Sequence, residues 1–396
     1  MSGPELNLVP GTVPLEPALS SSRVLPSPLQ ASASVTAERR RDRSIDLFKG
    51  LLVAGMVYCH CLQFFSDQQV YPAGQRWIDI INLITFSGFV FSFGYASQLA
   101  YYSKSFRRAA PRMLLTAFKM LVAFWLSGLA YRLFIDGRPL SWAGIRPVLL
   151  VEEMPGWSEF LISFAYLTLA GLVLFVPLKW AVRRKAAGFL AAALLLAATY
   201  IPYGAIHAVK LGPLIGTRDF ASFPAVQYFP YYLLGMLFAK YRIGWDWRVL
   251  AGAAAASACF VWKWLAPGEG GVLPERFPPS LWWIIGPALV LYGYYLLARV
   301  LGRFQDRWME RSAHPFYLLQ PLEVMGRNVL WFLLLSNMLI FAAAASQRSY
   351  GLLLPPGEAF ILALALLAVT GFSLWIMSPG KAAGRPERRP ERKLKG

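Results

Sequence analysis

The sequence predicts an all-α polytopic integral membrane protein, a bundle of about ten transmembrane helices with both termini in the cytoplasm. Three observations carry that prediction. Hydrophobic residues make up 57% of the 396 and charged ones only 15%, whereas soluble domains carry about 25% charged residues. Apolar runs of roughly 18 residues or more recur along the chain, and each can cross a hydrocarbon core about 30 Å thick as a helix. Lys and Arg gather in alternate loops, which the positive-inside rule reads as topology.

The runs lie near 47–65, 78–102, 113–134, 159–178, 187–206, 222–240, 249–266, 281–300, 315–345 and 358–378. They divide the chain into a Pro- and Ser-rich cytoplasmic tail (1–42) expected to be disordered, a transmembrane domain (43–379) and a basic cytoplasmic tail (380–396). The first run follows charged residues and is too long for a signal-peptide core, so it reads as a signal anchor. A net charge of +18 would suit a nucleic-acid partner, but its placement beside alternate span ends makes it a topology signal and excludes that reading.

The first run carries Lys49 and His60. An ionisable group inside a span costs a few kcal/mol and so faces the bundle interior or a cavity. The two are eleven residues apart, which puts them about 20° apart around a helix and about 16 Å apart along it. Asp46 and Gln63 fall near the same stripe, so the face reads as a continuous polar line from the cytoplasmic boundary towards the outer half. Cys59 and Cys61 flank His60, but such neighbours point to different sides of a helix, so no metal site is expected.

The third run opens with Arg107, Arg108 and Arg112, with Lys119 two turns deeper on nearly the face of Arg108 and Arg112. Together they suggest a basic funnel, since the guanidinium fork suits phosphate. Pro111 fits a first helical turn, where its missing donor is harmless. The stretches 135–158, 207–221 and 267–280 are rich in Gly, Pro, Trp and acidic residues; on this topology they face outward and could roof a cavity. Trp157, Trp262, Trp264, Trp282 and Trp283 sit near span ends and read as interfacial anchors. The ninth run places Gln320, Glu323 and Arg327 on one face, with Glu323 and Arg327 at ion-pair spacing.

In order and spacing these features resemble acyltransferase family 3, membrane enzymes that acylate cell-surface carbohydrates and other molecules from coenzyme A thioesters. Lys49 and His60 match the family's basic residue, ten others, then His. "ITFSGFVFSFGY" resembles its aromatic signature, with Ser87, Gly88 and Phe89 at the matching positions, and Arg107, Arg108 and Arg112 resemble its basic cluster. "FPYYLLGMLFAKY" and "SAHPFYLLQPLEVM" resemble later spans. Tyr317 and Pro321 match the family's Tyr-Leu-x-His-Pro, but Gln320 replaces its His.

The resemblance implies an O-acyltransferase of the bacterial cytoplasmic (inner) membrane, moving an acetyl or succinyl group from cytoplasmic acyl-CoA, a donor substrate rather than a bound cofactor, to a carbohydrate or glycolipid hydroxyl outside. It makes His60 the general base and counts Lys49 with it among the catalytic residues. Lys49, Arg107, Arg108, Arg112, Ser87 and Gly88 would hold the donor, and Asp46, Lys119, Tyr317, Gln320, Glu323 and Arg327 would line the cavity. An alternative reading is a transporter or flippase for a lipid-linked or anionic solute using the same polar line.

Overall fold

The computed structural model describes residues 42–266, 272–311, 319–347 and 353–377, so both tails and Tyr317 lie outside the described residues. It is helical throughout; among the described residues the one β feature is a bridge between Arg276 and Pro279. The helices are α1 (Arg43–Phe65), α2 (Pro72–Ser97, prolonged by a π turn over Gln98–Tyr102), α3 (Phe106–Phe134), α4 (Trp142–Leu149), α5 (Glu159–Val173), α6 (Phe175–Ala181) and α7 (Lys185–Leu195). They continue as α8 (Ala225–Tyr241), α9 (Trp247–Leu265), α10 (Leu281–Ile285), α11 (Ala288–Arg311), α12 (Gln320–Arg327), α13 (Val329–Gln347) and α14 (Pro356–Met377).

All ten predicted runs meet helices, but the span count falls. Among the described residues six helices are long and apolar enough to cross a membrane, or seven if the bent pair α5–α6 is one span. Breaks in the chain account for the fourth and fifth runs, whereas the sixth and seventh form the continuous helices α8 and α9, and the ninth keeps a span in α13. The fourth run bends by 79° between α5 and α6, where Pro177 has no N–H to donate to Val173. The fifth leaves the α-helix at Leu195 and continues as a 3-10 turn to Tyr200, ahead of Pro202. The ninth splits at Asn328, whose side-chain amide donates to the Val324 carbonyl at 3.0 Å, a local bond that competes with helix continuation.

α1 is the central helix. It packs against α2, α11, α12, α13 and α14, and Leu47, Phe48, Val53, Val57 and Leu62 on it are fully enclosed. Its contact with α12 is backbone against backbone. A methyl at Gly50 would meet the Leu322 carbonyl carbon at 2.8 Å, and one at Gly326 would meet that of Asp46 at 2.6 Å. Small residues permit such an approach between helices. Gly94 and Gly235 do the same for α2 and α8. α14 is the most peripheral of the candidate spans.

Candidate functional site

The α1–α12 crossing gathers four charged side chains. Lys49 Nζ lies 2.9 Å from Asp46 Oδ1, Arg327 Nε 3.7 Å from Asp46 Oδ2, and Arg327 Nη2 donates to Glu323 Oε2 at 2.9 Å. Both carboxylates are buried and each has a cation against it, as buried charge requires. The i, i+4 pair expected of Glu323 and Arg327 is present, and its partner across the crossing is Asp46. Gln320, one turn earlier, is exposed and stands apart from this cluster.

Beside the cluster a cavity of about 350 Å³ opens between α1, α2, α3, α5 and α13. Lys49, Arg327 and Asn328 give its polar wall, with Ser92, Phe160 and Leu333 among the other lining residues. Ser87 and Gly88 do not line it. Gly88 faces the Leu52 and Leu291 side chains, and Ser87 is buried with its hydroxyl unpartnered among the described residues. The signature therefore packs α2 onto α1 and α11, while Phe89 and Ser92, slightly further along, reach the cavity.

His60 lies beyond the cavity, towards the other end of α1. It is buried, 5% exposed. Its Nδ1 is 2.7 Å from Asn337 Oδ1, and its ring meets Trp157 edge to face at 4.7 Å between centroids. Asn337 lies four residues beyond the cavity-lining Leu333 on α13, a separation of about 6 Å along the helix. The polar line expected from Lys49 to His60 is thus interrupted: Val53 and Val57, which fall between them, are fully buried apolar residues, and the cavity lining includes Phe160 and Leu333 but not His60. With Asn337 Oδ1 accepting, the hydrogen sits on Nδ1 and Nε2 keeps its lone pair.

Two residues near His60 escape sequence reasoning. Trp157 reads as an interfacial anchor, yet it turns inward onto His60 and Phe64 at a positive φ of 66°, so the 135–158 connection does fold over this end of α1. No pattern marks Asn337, one polar residue in the apolar run of α13.

A third, Arg276, lies between α9 and α10. Its guanidinium stacks on Phe277 at 4.4 Å and Phe223 at 5.4 Å, and its enclosed Nε has no hydrogen-bond partner among the described residues. Burial holds its pKa below the ordinary value, opposed by the fields of Tyr228, Cys59, Glu159 and Asp79. Arg276 therefore faces the region of α1 next to His60. Its only sequence signal was a cation in the outward stretch 267–280.

The cations of α3 lie outside the cavity. Arg107, Arg108, Arg112 and Lys119 are all exposed. The face of α3 that packs inward is the one bearing Ala109, Met113, Ala117 and Phe124, and Met120, not Lys119, reaches the cavity. Pro111 lies inside the helix rather than in its first turn, so the Arg107 carbonyl loses its helical donor. The Cys59 thiol lies 3.5 and 3.6 Å from Gln63 Oε1 and Asn82 Oδ1, either of which can accept its one hydrogen.

A family model described as an acyltransferase domain matches residues 42–377. The chain belongs to acyltransferase family 3. The match begins just before α1 and ends with α14, so this acyltransferase domain contains the whole helical bundle, with Lys49, His60, Arg276 and Asn337 inside it. No curated protein matches the chain.

Proposed function

We propose that this family member is an O-acyltransferase of the bacterial inner membrane, taking an acetyl or succinyl group from cytoplasmic acyl-CoA and placing it on a hydroxyl of an extracytoplasmic carbohydrate or glycolipid. One observation carries the reading: within an acyltransferase domain, His60 is a buried imidazole fixed through Nδ1 by Asn337, with Nε2 left to act as a base.

The donor enters from the Lys49 end. Its phosphates rest on the exposed Arg107, Arg108 and Arg112, which attract a polyanion without competing buried carboxylates. Its pantetheine arm occupies the cavity beside Lys49 and Arg327, and the thioester reaches His60 when the Phe160 and Leu333 side chains give way. The acceptor approaches from the side of Trp157 and Arg276. His60 Nε2 takes the proton of its hydroxyl, the oxygen attacks the thioester carbonyl, and the carbon–sulfur bond breaks. The proton then passes from His60 to the departing coenzyme A thiolate. Arg276, with an unpartnered donor, orients the acceptor and stabilises negative charge.

The test is turnover without a gradient. Purified protein in detergent, given labelled acetyl-CoA or succinyl-CoA and surface carbohydrate, should release coenzyme A thiol in step with label on carbohydrate. Movement of solute only in sealed vesicles, with acyl-CoA left intact in detergent, would replace this reading with transport.

A further inference from the structure

We propose that the cleft between α7, α8, α9 and α11 is a binding site for one anionic phospholipid, its acyl chain in the cleft and its phosphate on Arg248. The cleft has a volume of about 600 Å³ and shares no residue with the Lys49 cavity; sites for small ligands span roughly 300 to 1,000 Å³. Phe189, Ala192, Leu234, Val249, Ala253 and Leu291 exemplify its apolar walls. Charge enters the lining only through Lys185, Asp246 and Arg248, which stand at the starts of α7 and α9.

That end of the cleft is strongly basic and well fixed. Lys240 Nζ donates to the Val182 carbonyl at 2.7 Å, the Tyr241 hydroxyl to the Arg183 carbonyl at 2.6 Å, and Arg299 Nη1 to the Ile243 carbonyl at 2.5 Å. These bonds join the α6–α7 and α8–α9 connections to α11. Around them stand Arg183, Arg184, Lys185, Lys240, Arg242, Arg248 and Arg299, and in these two connections Asp246 is the single carboxylate.

Trp245 and Trp247 are exposed here, as aromatic residues at headgroup depth are. Asp246 is spent on Lys185, 2.9 Å away, and on capping the Arg248 amide at 3.0 Å; the Lys185 hydrogen bond is the main cause of its lowered pKa. The Arg248 guanidinium, 5.6 Å above the Trp247 ring, has no carboxylate partner among the described residues. An apolar slot with such a cation at its lip complements a lipid whose headgroup carries net negative charge, and favours it over a zwitterionic one.

The experiment is native mass spectrometry of the full chain in detergent with phosphatidylglycerol and phosphatidylcholine of identical acyl chains, with thermal unfolding as the control for folding. The intact protein should prefer the anionic lipid by about fivefold, the value of one cation near a headgroup. Arg248→Ala should remove the preference. Asp246→Asn, which keeps a helix cap, frees Lys185 and should raise it by a similar factor. Gly252→Leu, at a position where an added Cβ meets nothing within 4 Å, should fill the slot and lower binding of both lipids. Equal binding of the two lipids, a preference that survives Arg248→Ala, or unchanged binding in Gly252→Leu would overturn the proposal. So would a lipid-free dimer, which would give the cleft to a second copy.

Discussion

Replacing Gly50 by Ala should disable the enzyme without touching a charged group. A Cβ at Gly50 would lie 2.8 Å from the Leu322 carbonyl carbon and closer still to its oxygen. Carbon atoms rest at about 3.5 to 4.0 Å, and neither backbone can rotate away. The helices must therefore part by at least about 0.7 Å on the carbon alone, measured against the lower bound of that range. The Arg327 Nε to Asp46 Oδ2 contact, already 3.7 Å, then passes beyond ion-pair reach, and buried Asp46 loses the cation across the crossing.

Overpacking of this kind costs about 1 to 3 kcal/mol. Gly55→Ala is the internal control, because its Cβ would meet only the Ile81 side chain at 3.7 Å, an ordinary contact. Thermal unfolding in detergent should show Gly50→Ala below the parent and Gly55→Ala level with it, and transfer from acyl-CoA should follow the same order. A Gly50→Ala protein with parental unfolding temperature and parental transfer would refute the argument that this crossing sets the charge cluster.

Asn337→Ala leaves the buried His60 Nδ1 without its partner, which costs about 1 to 3 kcal/mol; transfer should fall about tenfold to a hundredfold, and Asn337→Asp, which retains an acceptor oxygen, should recover part of it. Arg276→Ala should raise the acceptor KM about tenfold, the worth of a charged hydrogen bond, with the acyl-CoA KM unmoved. Arg276→Lys should not restore it, because an ammonium lacks the planar fork; equal loss for both substrates would instead mark a folding role. Lys119→Ala should leave the acyl-CoA KM within about twofold, a change of under 0.5 kcal/mol, since Lys119 is exposed and away from the cavity.

Much of this was legible before the structure. Apolar runs located every main helix, and the i, i+4 spacing of Glu323 and Arg327 named a real ion pair, because 3.6-residue periodicity relates positions along a single helix. The same reasoning is blind across helices. That Asp46 meets Arg327 depends on the Gly50–Gly326 approach between α1 and α12, and that His60 meets Asn337 depends on α13 lying beside α1; neither leaves a periodic trace.

Face assignments are also not legible where two faces of a helix both carry apolar residues. On α3, which packs on α5, the buried side bears Ala109, Met113 and Ala117, and the cations Arg108, Arg112 and Lys119 are exposed. Prolines and Asn328 cut runs that hydropathy alone reads as continuous. Trp157 was misread because span-end tryptophans normally anchor at the interface, and only its backbone conformation turns it inward.

The central claim is that His60 performs acyl transfer from a coenzyme A thioester. The direct measurement compares intact protein with His60→Ala at equal abundance in membranes, following label from acyl-CoA into base-labile ester on carbohydrate. The account predicts that His60→Ala reduces transfer by at least about a hundredfold, the lower bound of what a positioned base contributes, while the protein remains folded. Transfer at the parental rate in His60→Ala would contradict it.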